Sequence, residues 1–258
     1  MAISTAVLKN IEAILFDMNG TLRAREPHES TQTQATQRIL EILGESNIPD
    51  SYWEEVTQRR EKYSQWAQQH LIQLPEDEIW TRWILPEYPP EQIRPVAAEL
   101  MLAWSERKGH TVPIPGAEQM LIELKRRGYR LGVISNTMSS LDIPRDINLF
   151  GWKDYFDVVI LSSEIRLRKP APEPFLEATR ILNMNPARCA YLGNRVSKDI
   201  IGCKRAGFGF GIVLEPMDGP RADEQDQIVS PDAIIHSLNE LLEIFPMREP
   251  PNGNASGF

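Results

Sequence analysis

The sequence predicts an α/β fold: a parallel sheet covered by helices on both faces, interrupted early by an all-helical insertion. Two observations carry this. After Pro113, short and almost continuously apolar runs alternate with helical segments, the composition of strands buried on both faces of a parallel sheet. From Thr31 to Lys108, by contrast, the pattern is helical throughout. Five of the six tryptophans (Trp53, Trp66, Trp80, Trp83, Trp104) fall in that stretch.

Taken in chain order, Ile11 to Phe16 reads as a buried strand that ends at Asp17 and a turn at Asn19-Gly20. In the insertion, Ser51-Tyr52-Trp53-Glu54 fits a capping box, with Ser51 as cap and Glu54 reaching back. Trp53, Val56, Tyr63, Trp66 and His70 follow at near-helical spacing. Pro75 and Pro90 suit the starts of two further helices, where a missing N–H does little harm, and Gly109 suits the left-handed position past a helix end. Beyond Pro113, Gly116 to Arg127 reads as a helix closed by Gly128, Arg130 to Ile134 as a strand, and Val158 to Leu161 as another after an irregular stretch. Pro172 to Leu182 (helix), Ala190 to Leu192 (strand), Ser197 to Ala206 (helix) and Gly211 to Leu214 (strand) follow. Ala233 to Ile235 is a weak last strand, with a helix to Phe245.

The expected division is a core of residues 1–22 and 113–246, a helical cap of residues 23–112, and a disordered tail of residues 247–258. The clustered tryptophans read as the core of the small cap, and the sharper reading turns one or two of them toward a pocket or partner. Glu215 to Asp226 reads as an acidic, solvated loop.

Bulk properties exclude several classes. Asp and Glu number 36 against 28 Lys and Arg, for a net charge of −8, so nucleic acid is not an expected partner. No apolar run approaches the ~20 residues of a membrane helix, and Met1 to Asn10 lacks the apolar centre of a signal peptide. The two cysteines, Cys189 and Cys203, form no CxxC, which suits a reducing, cytoplasmic setting. The four histidines are dispersed, and no P-loop or nucleophile-elbow motif occurs. Gly207-Phe208-Gly209-Phe210-Gly211 precedes a strand instead of opening a helix, so it reads as a tight connection and not as a dinucleotide loop.

In open α/β sheets ligands sit beyond the carboxyl ends of the strands. Asp17, Asn19 and Thr21 follow the first strand, Ser135, Asn136 and Thr137 the second. Lys169 stands beyond the third, and Gly193, Asn194 and Asp199 follow the fourth. Asp17 suits attack on phosphorus, Ser135 and Lys169 suit phosphoryl oxygens, and carboxylate oxygens suit Mg²⁺. Each residue alone also has a bland reading: a turn at Asp17-Asn19-Gly20, caps at Ser135-Asn136 and Ser197, a solvated charge at Lys169, and a helix-dipole partner at Asp199. Arg23 and Arg25 read either as contacts to an anionic substrate or as a surface hinge into the cap.

Together these segments resemble the haloacid dehalogenase (HAD) superfamily, in the branch with a helical C1 cap inserted after the first motif. Phe16-Asp17-Met18-Asn19-Gly20-Thr21-Leu22 resembles motif one, D-x-D-G-T. Val133-Ile134-Ser135-Asn136 resembles motif two, and Lys169-Pro170 motif three. Gly193-Asn194-Arg195-Val196-Ser197-Lys198-Asp199 resembles motif four, G-D-x-x-x-x-D. The resemblance implies a Rossmannoid three-layer fold and a phosphatase-like hydrolase that acts on a small phosphorylated metabolite through an aspartyl-phosphate. It implies Asp17, Asn19 and Lys169 at the catalytic positions, Thr21, Ser135, Asn136 and Lys169 at phosphate, and Asp17, Asn19, Asn194 and Asp199 around Mg²⁺.

Two family carboxylates are amides in this chain, at Asn19 and Asn194. An amide moves no proton, and losing a general acid–base costs ~10²–10⁴ in rate. A weakened Mg²⁺ site is therefore expected. The readings, in order, are a slow or specialised phosphatase, a catalytically impaired binding or regulatory protein, and dehalogenase-type chemistry a distant third.

Overall fold

The computed structural model describes residues 5–217 and 229–248. Helix α1 (Thr5–Asn10) leads into strand β1 (Ala13–Phe16); β2 (Arg23–Glu26) opens the insertion. The insertion holds α2 (Glu29–Leu43), α3 (Asp50–His70), α4 (Glu76–Ile79) running into a π-type turn at Trp80–Ile84, α5 (Pro90–Ile93) and α6 (Ala97–Glu106). Strand β3 (His110–Pro113) closes it. Then come α7 (Ala117–Arg126), β4 (Arg130–Ser135), α8 (Asp142–Leu149), β5 (Val158–Leu161), α9 (Ser162–Ile165) and α10 (Glu173–Ile181). The chain continues through β6 (Cys189–Gly193), α11 (Ile201–Arg205), β7 (Phe210–Leu214), β8 (Ala233–Ile235) and α12 (Leu241–Ile244).

Six of the strands form one parallel sheet in the order β5-β4-β1-β6-β7-β8. Alternation along β1 explains the three layers. Ile14 and Phe16 face the side covered by Met120, Leu121 and Leu124 of α7 and Leu241 of α12. Ala13 and Leu15 face Phe175 and Ala178 of α10 and Cys203 of α11. Both faces are dry, so the strands read as apolar runs in the sequence, and the expected α/β class holds.

The helical insertion has its own core around Tyr63, Trp80, Leu100 and Trp104. Trp80 is buried because its indole N–H reaches Ala97 O at 3.1 Å. The expected capping box is corrected: α3 starts two residues earlier, at Asp50, with Pro49 as the flanking residue and no side-chain cap. Gly109 does have positive φ (+110°), but its glycine is required by a neighbour, since a Cβ there would stand 1.8 Å from Glu26 O. That close approach belongs to an antiparallel ribbon in which β2 pairs β3, Arg23 opposite Pro113 and Glu26 opposite His110. The ribbon straddles both expected ends of the cap. The stretch before β5 is also not irregular: α8 lies there. The expected loop at Glu215 to Asp226 falls mostly, and the expected tail from residue 249 onward wholly, outside the described residues. No helix among the described residues is long and apolar enough to cross a membrane.

Candidate active site

The carboxyl ends of β1, β4 and β6 meet at one edge of the sheet. Asp17 extends the ladder past β1, its N–H donating to Leu192 O at 2.8 Å. The chain then turns sharply: Leu22 and Arg23 N–H both reach Met18 O at 3.0 Å, and Gly20 takes positive φ (+79°).

Lys169 lies at the centre of the cluster and is 1% exposed, so the solvated reading of this lysine is corrected. Its ammonium donates to Asp17 Oδ1 at 2.9 Å, Asp199 Oδ1 at 2.6 Å, Ile134 O at 2.9 Å and Tyr191 OH at 2.7 Å. Burial works against the charge, but the two carboxylates outweigh it and the lysine pKa is raised. Ser135 Oγ donates to Asp17 Oδ1 at 3.3 Å. Among the described residues nothing donates to Asp17 Oδ2.

Asp199 is fully buried. Its Oδ2 accepts the N–H groups of Asn194 (3.2 Å) and Arg195 (3.0 Å), while Oδ1 holds Lys169. Burial raises its pKa and Asp17 adds to that, against the pull of Lys169. In this structure Asp199 anchors Lys169 and the loop after β6. Gly193 makes the arrangement fit, since a Cβ there would stand 2.3 Å from Asp199 Cγ.

Asn136 Nδ2 donates to Lys169 O (3.0 Å) and its Oδ1 accepts Lys169 N–H (2.9 Å), so the amide clamps the lysine backbone. Thr21 is fully buried and its Oγ1 lacks a partner among the described residues. Asn19 is exposed; its Oδ1 accepts Arg23 Nε at 3.0 Å. Asn194 is buried at the end of β6.

The surface-hinge reading of Arg23 is corrected: it is 1% exposed and lines the cleft, with Nη2 on Asp142 Oδ2 at 2.9 Å and Nη1 on Asp146 Oδ2. Arg25 joins the network at Asp142 Oδ1 (2.6 Å) and Ser105 Oγ (2.6 Å). Burial opposes ionisation of Asp142, but Arg23 and Arg25 prevail and hold it below the usual carboxylate range. The sequence reading missed Asp142, Asp146 and Tyr191. The first two stand one helical turn apart, a signal obscured by Pro144 between them. Tyr191 sits in an apolar strand and reads as packing.

Above this edge, between sheet and cap, is a cleft of about 390 Å³. Asn19, Gly20, Asn136 and Thr137 line its floor, and Trp104, Met101 and Arg60 are on the cap side. One of the clustered tryptophans therefore does face a pocket, while Trp80 is core.

Comparison with known proteins now decides the family. Residues 11–207 match the family described as haloacid dehalogenase-like hydrolase. The chain belongs to the haloacid dehalogenase-like hydrolases. The chain is 28% identical over 242 residues to a glyceraldehyde 3-phosphate phosphatase of Methanopyrus kandleri, covering 91% of this chain and 97% of that one. It is 27% identical over 239 residues to a phosphoglycolate phosphatase of Nitrosococcus oceani, covering 91% and 96%. A 2-haloacid dehalogenase structure from Pseudomonas syringae pv. Tomato superposes with a TM-score of 0.67 over 91% of this chain and 97% of that one, at 23% identity, a likeness of fold. HAD phosphatases generally use Mg²⁺.

Proposed function

We propose that this chain is a phosphomonoester phosphatase in which Asp17 is the nucleophile. The observation that carries the reading is the Lys169 ammonium held between Asp17 and Asp199 at the carboxyl edge of the sheet, with Ser135 on the same Asp17 oxygen. Those contacts fix Oδ1 and leave Oδ2 to attack. Attack forms the Oδ2–P bond and breaks the P–O bond to the alcohol, and water then releases phosphate from the aspartyl ester. Lys169 and Ser135 are placed to neutralise charge that develops on the phosphoryl oxygens.

Asn19 cannot supply the proton that the departing alkoxide needs, so solvent supplies it. The expected enzyme is slow, and favours esters whose alcohol leaves without protonation. The donors present fit a loosely held Mg²⁺: the Asp17 oxygen that does not attack, the Asn194 amide oxygen and the Asn19 backbone carbonyl, with the rest water. Bound there, the ion would supply positive charge beside the phosphoryl group.

Phosphoglycolate and glyceraldehyde 3-phosphate, named for the relatives, are the starting substrates. Cys189 and Cys203 are buried and free, which supports a cytoplasmic setting. The test is phosphate release with Mg²⁺ by the wild type and Asp17→Asn. Loss of release in the variant is expected. Equal release by both proteins overturns the assignment, and no release by either on a broad panel favours the non-catalytic reading.

A further inference from the structure

We propose that the cleft under the cap is an anion pocket for the far end of the substrate, so that this chain selects phosphate esters carrying a second negative group, carboxylate or phosphoryl. The inference rests on the phosphatase reading for the first phosphate and deepens it.

Five cationic side chains line the cleft, and they divide into two sets. Arg23 and Arg25 are neutralised by Asp142 and Asp146. Arg60 of α3, Lys108 beyond α6 and Arg168 beside Lys169 have no carboxylate within ion-pair distance among the described residues.

Arg168 is the most telling of the three. It is 8% exposed, its Nη1 donates to the neutral Gln73 Oε1, and its buried Nε has no partner among the described residues. Gln73 is itself held, donating to Tyr63 OH at 2.8 Å, so the guanidinium is kept in place by the cap. An unpaired buried cation is costly and persists where something compensates it. Burial lowers the pKa of Arg60 and of Arg168, and Arg60 adds to the lowering at Arg168. Like charges gathered from two parts of the chain repel until an anion sits among them.

The geometry matches a short two-headed ligand. The floor of the cleft is Asn19 and Asn136, next to the Asp17–Lys169 cluster, and the unpaired cations line its walls. Trp104, Met101 and Met138 supply apolar surface for a few carbons between the two heads. At about 390 Å³ the cleft lies at the small end of ligand pockets, which suits a compact metabolite.

A matched pair of esters tests this. Phosphoglycolate and 2-phosphoethanol share a skeleton and differ by a carboxylate against a hydroxymethyl group. The wild type is expected to show kcat/KM at least about tenfold higher for phosphoglycolate, the scale of one charge-assisted hydrogen bond. Arg60→Gln and Lys108→Gln are each expected to pull that ratio toward one, whereas Arg82→Gln, on the cap surface and paired with Glu78, leaves it as in the wild type. A wild-type ratio near one, or a ratio that neither cleft variant moves, overturns the proposal. If neither ester is hydrolysed, calorimetry of the same two compounds with the wild type decides the pocket. Tenfold tighter binding of the acid sustains it and equal affinity overturns it.

Discussion

Replacing Gly193 by alanine tests whether the site is held from below by Asp199. A Cβ at this position falls 2.3 Å from Asp199 Cγ and 2.4 Å from its Cβ and Oδ2, where ordinary contact begins at 3.4 Å. Asp199 must therefore retreat by roughly 1 Å, which stretches the bonds from Asn194 N–H (3.2 Å) and Arg195 N–H (3.0 Å) beyond hydrogen-bonding range. Hydrogen bonds to a charged group contribute about 1.5–3 kcal/mol each, so losing two costs ~3–6 kcal/mol before any relaxation. Gly151→Ala is the control. Gly151 has positive φ (+71°) and open space around it, so alanine there costs only the left-handed strain of ~1–2 kcal/mol. Guanidinium unfolding of the three proteins measures both numbers, and phosphate release reports whether Lys169 keeps its place. A Gly193→Ala protein within 1 kcal/mol of wild type, or no less stable than the control, would refute the anchoring role of Asp199.

Three further outcomes are expected. Asn19→Asp together with Asn194→Asp raises phosphate release at least tenfold and tightens the Mg²⁺ requirement, and the gain is larger for alkyl than for aryl phosphates, because only the alkoxide needs a proton donor; equal gains would assign the effect to the metal site alone. Arg23→Met leaves Asp142 and Asp146 buried without their cation and costs about 3–5 kcal/mol in denaturant unfolding, with partial recovery in Arg23→Met/Asp146→Asn. Asp142 has a depressed pKa in the folded chain, so its contribution is complete above the unfolded value near pH 4 and is lost as pH falls through the lower folded value. Wild-type stability should therefore fall more steeply than that of Asp142→Asn below about pH 4, as read from denaturant midpoints.

The sheet was legible because its central strands are buried and apolar, and the candidate site because its residues stand where those strands end. Val158 to Leu161 and Ala233 to Ile235 match their strands to the residue. Pairing between distant segments was not legible. Nothing in Arg23-Ala24-Arg25-Glu26 announces a strand, since its partner lies at His110–Pro113 and only the cap between them brings the two together. The burial of Arg23 follows from the same topology: an arginine near a turn reads as exposed until α8 is seen to present Asp142 and Asp146 to it. Asp199 and Asn136 show a different limit. Their residue types suit ligand contact, and only the direction of each polar atom reveals that they also hold Lys169 and the loops around it.

That direction bears on what the two amides mean. With Asp17 and Asp199 against Lys169, the buried cluster carries one surplus negative charge. Carboxylates at positions 19 and 194 would add two more beside an incoming phosphate, a load that a divalent cation must offset. The amides at Asn19 and Asn194 remove that load, and one of them is tied to a guanidinium, Arg23, already satisfied by two other carboxylates. The attraction an anionic substrate needs is found elsewhere, on Arg60, Lys108 and Arg168 around the mouth of the same cleft. The loss of acidity in motif four and the unpaired cations under the cap therefore act in the same direction. On the proposed phosphatase reading both lower the cost of bringing an anion to Asp17, and the missing proton donor at position 19 is what that arrangement leaves uncompensated.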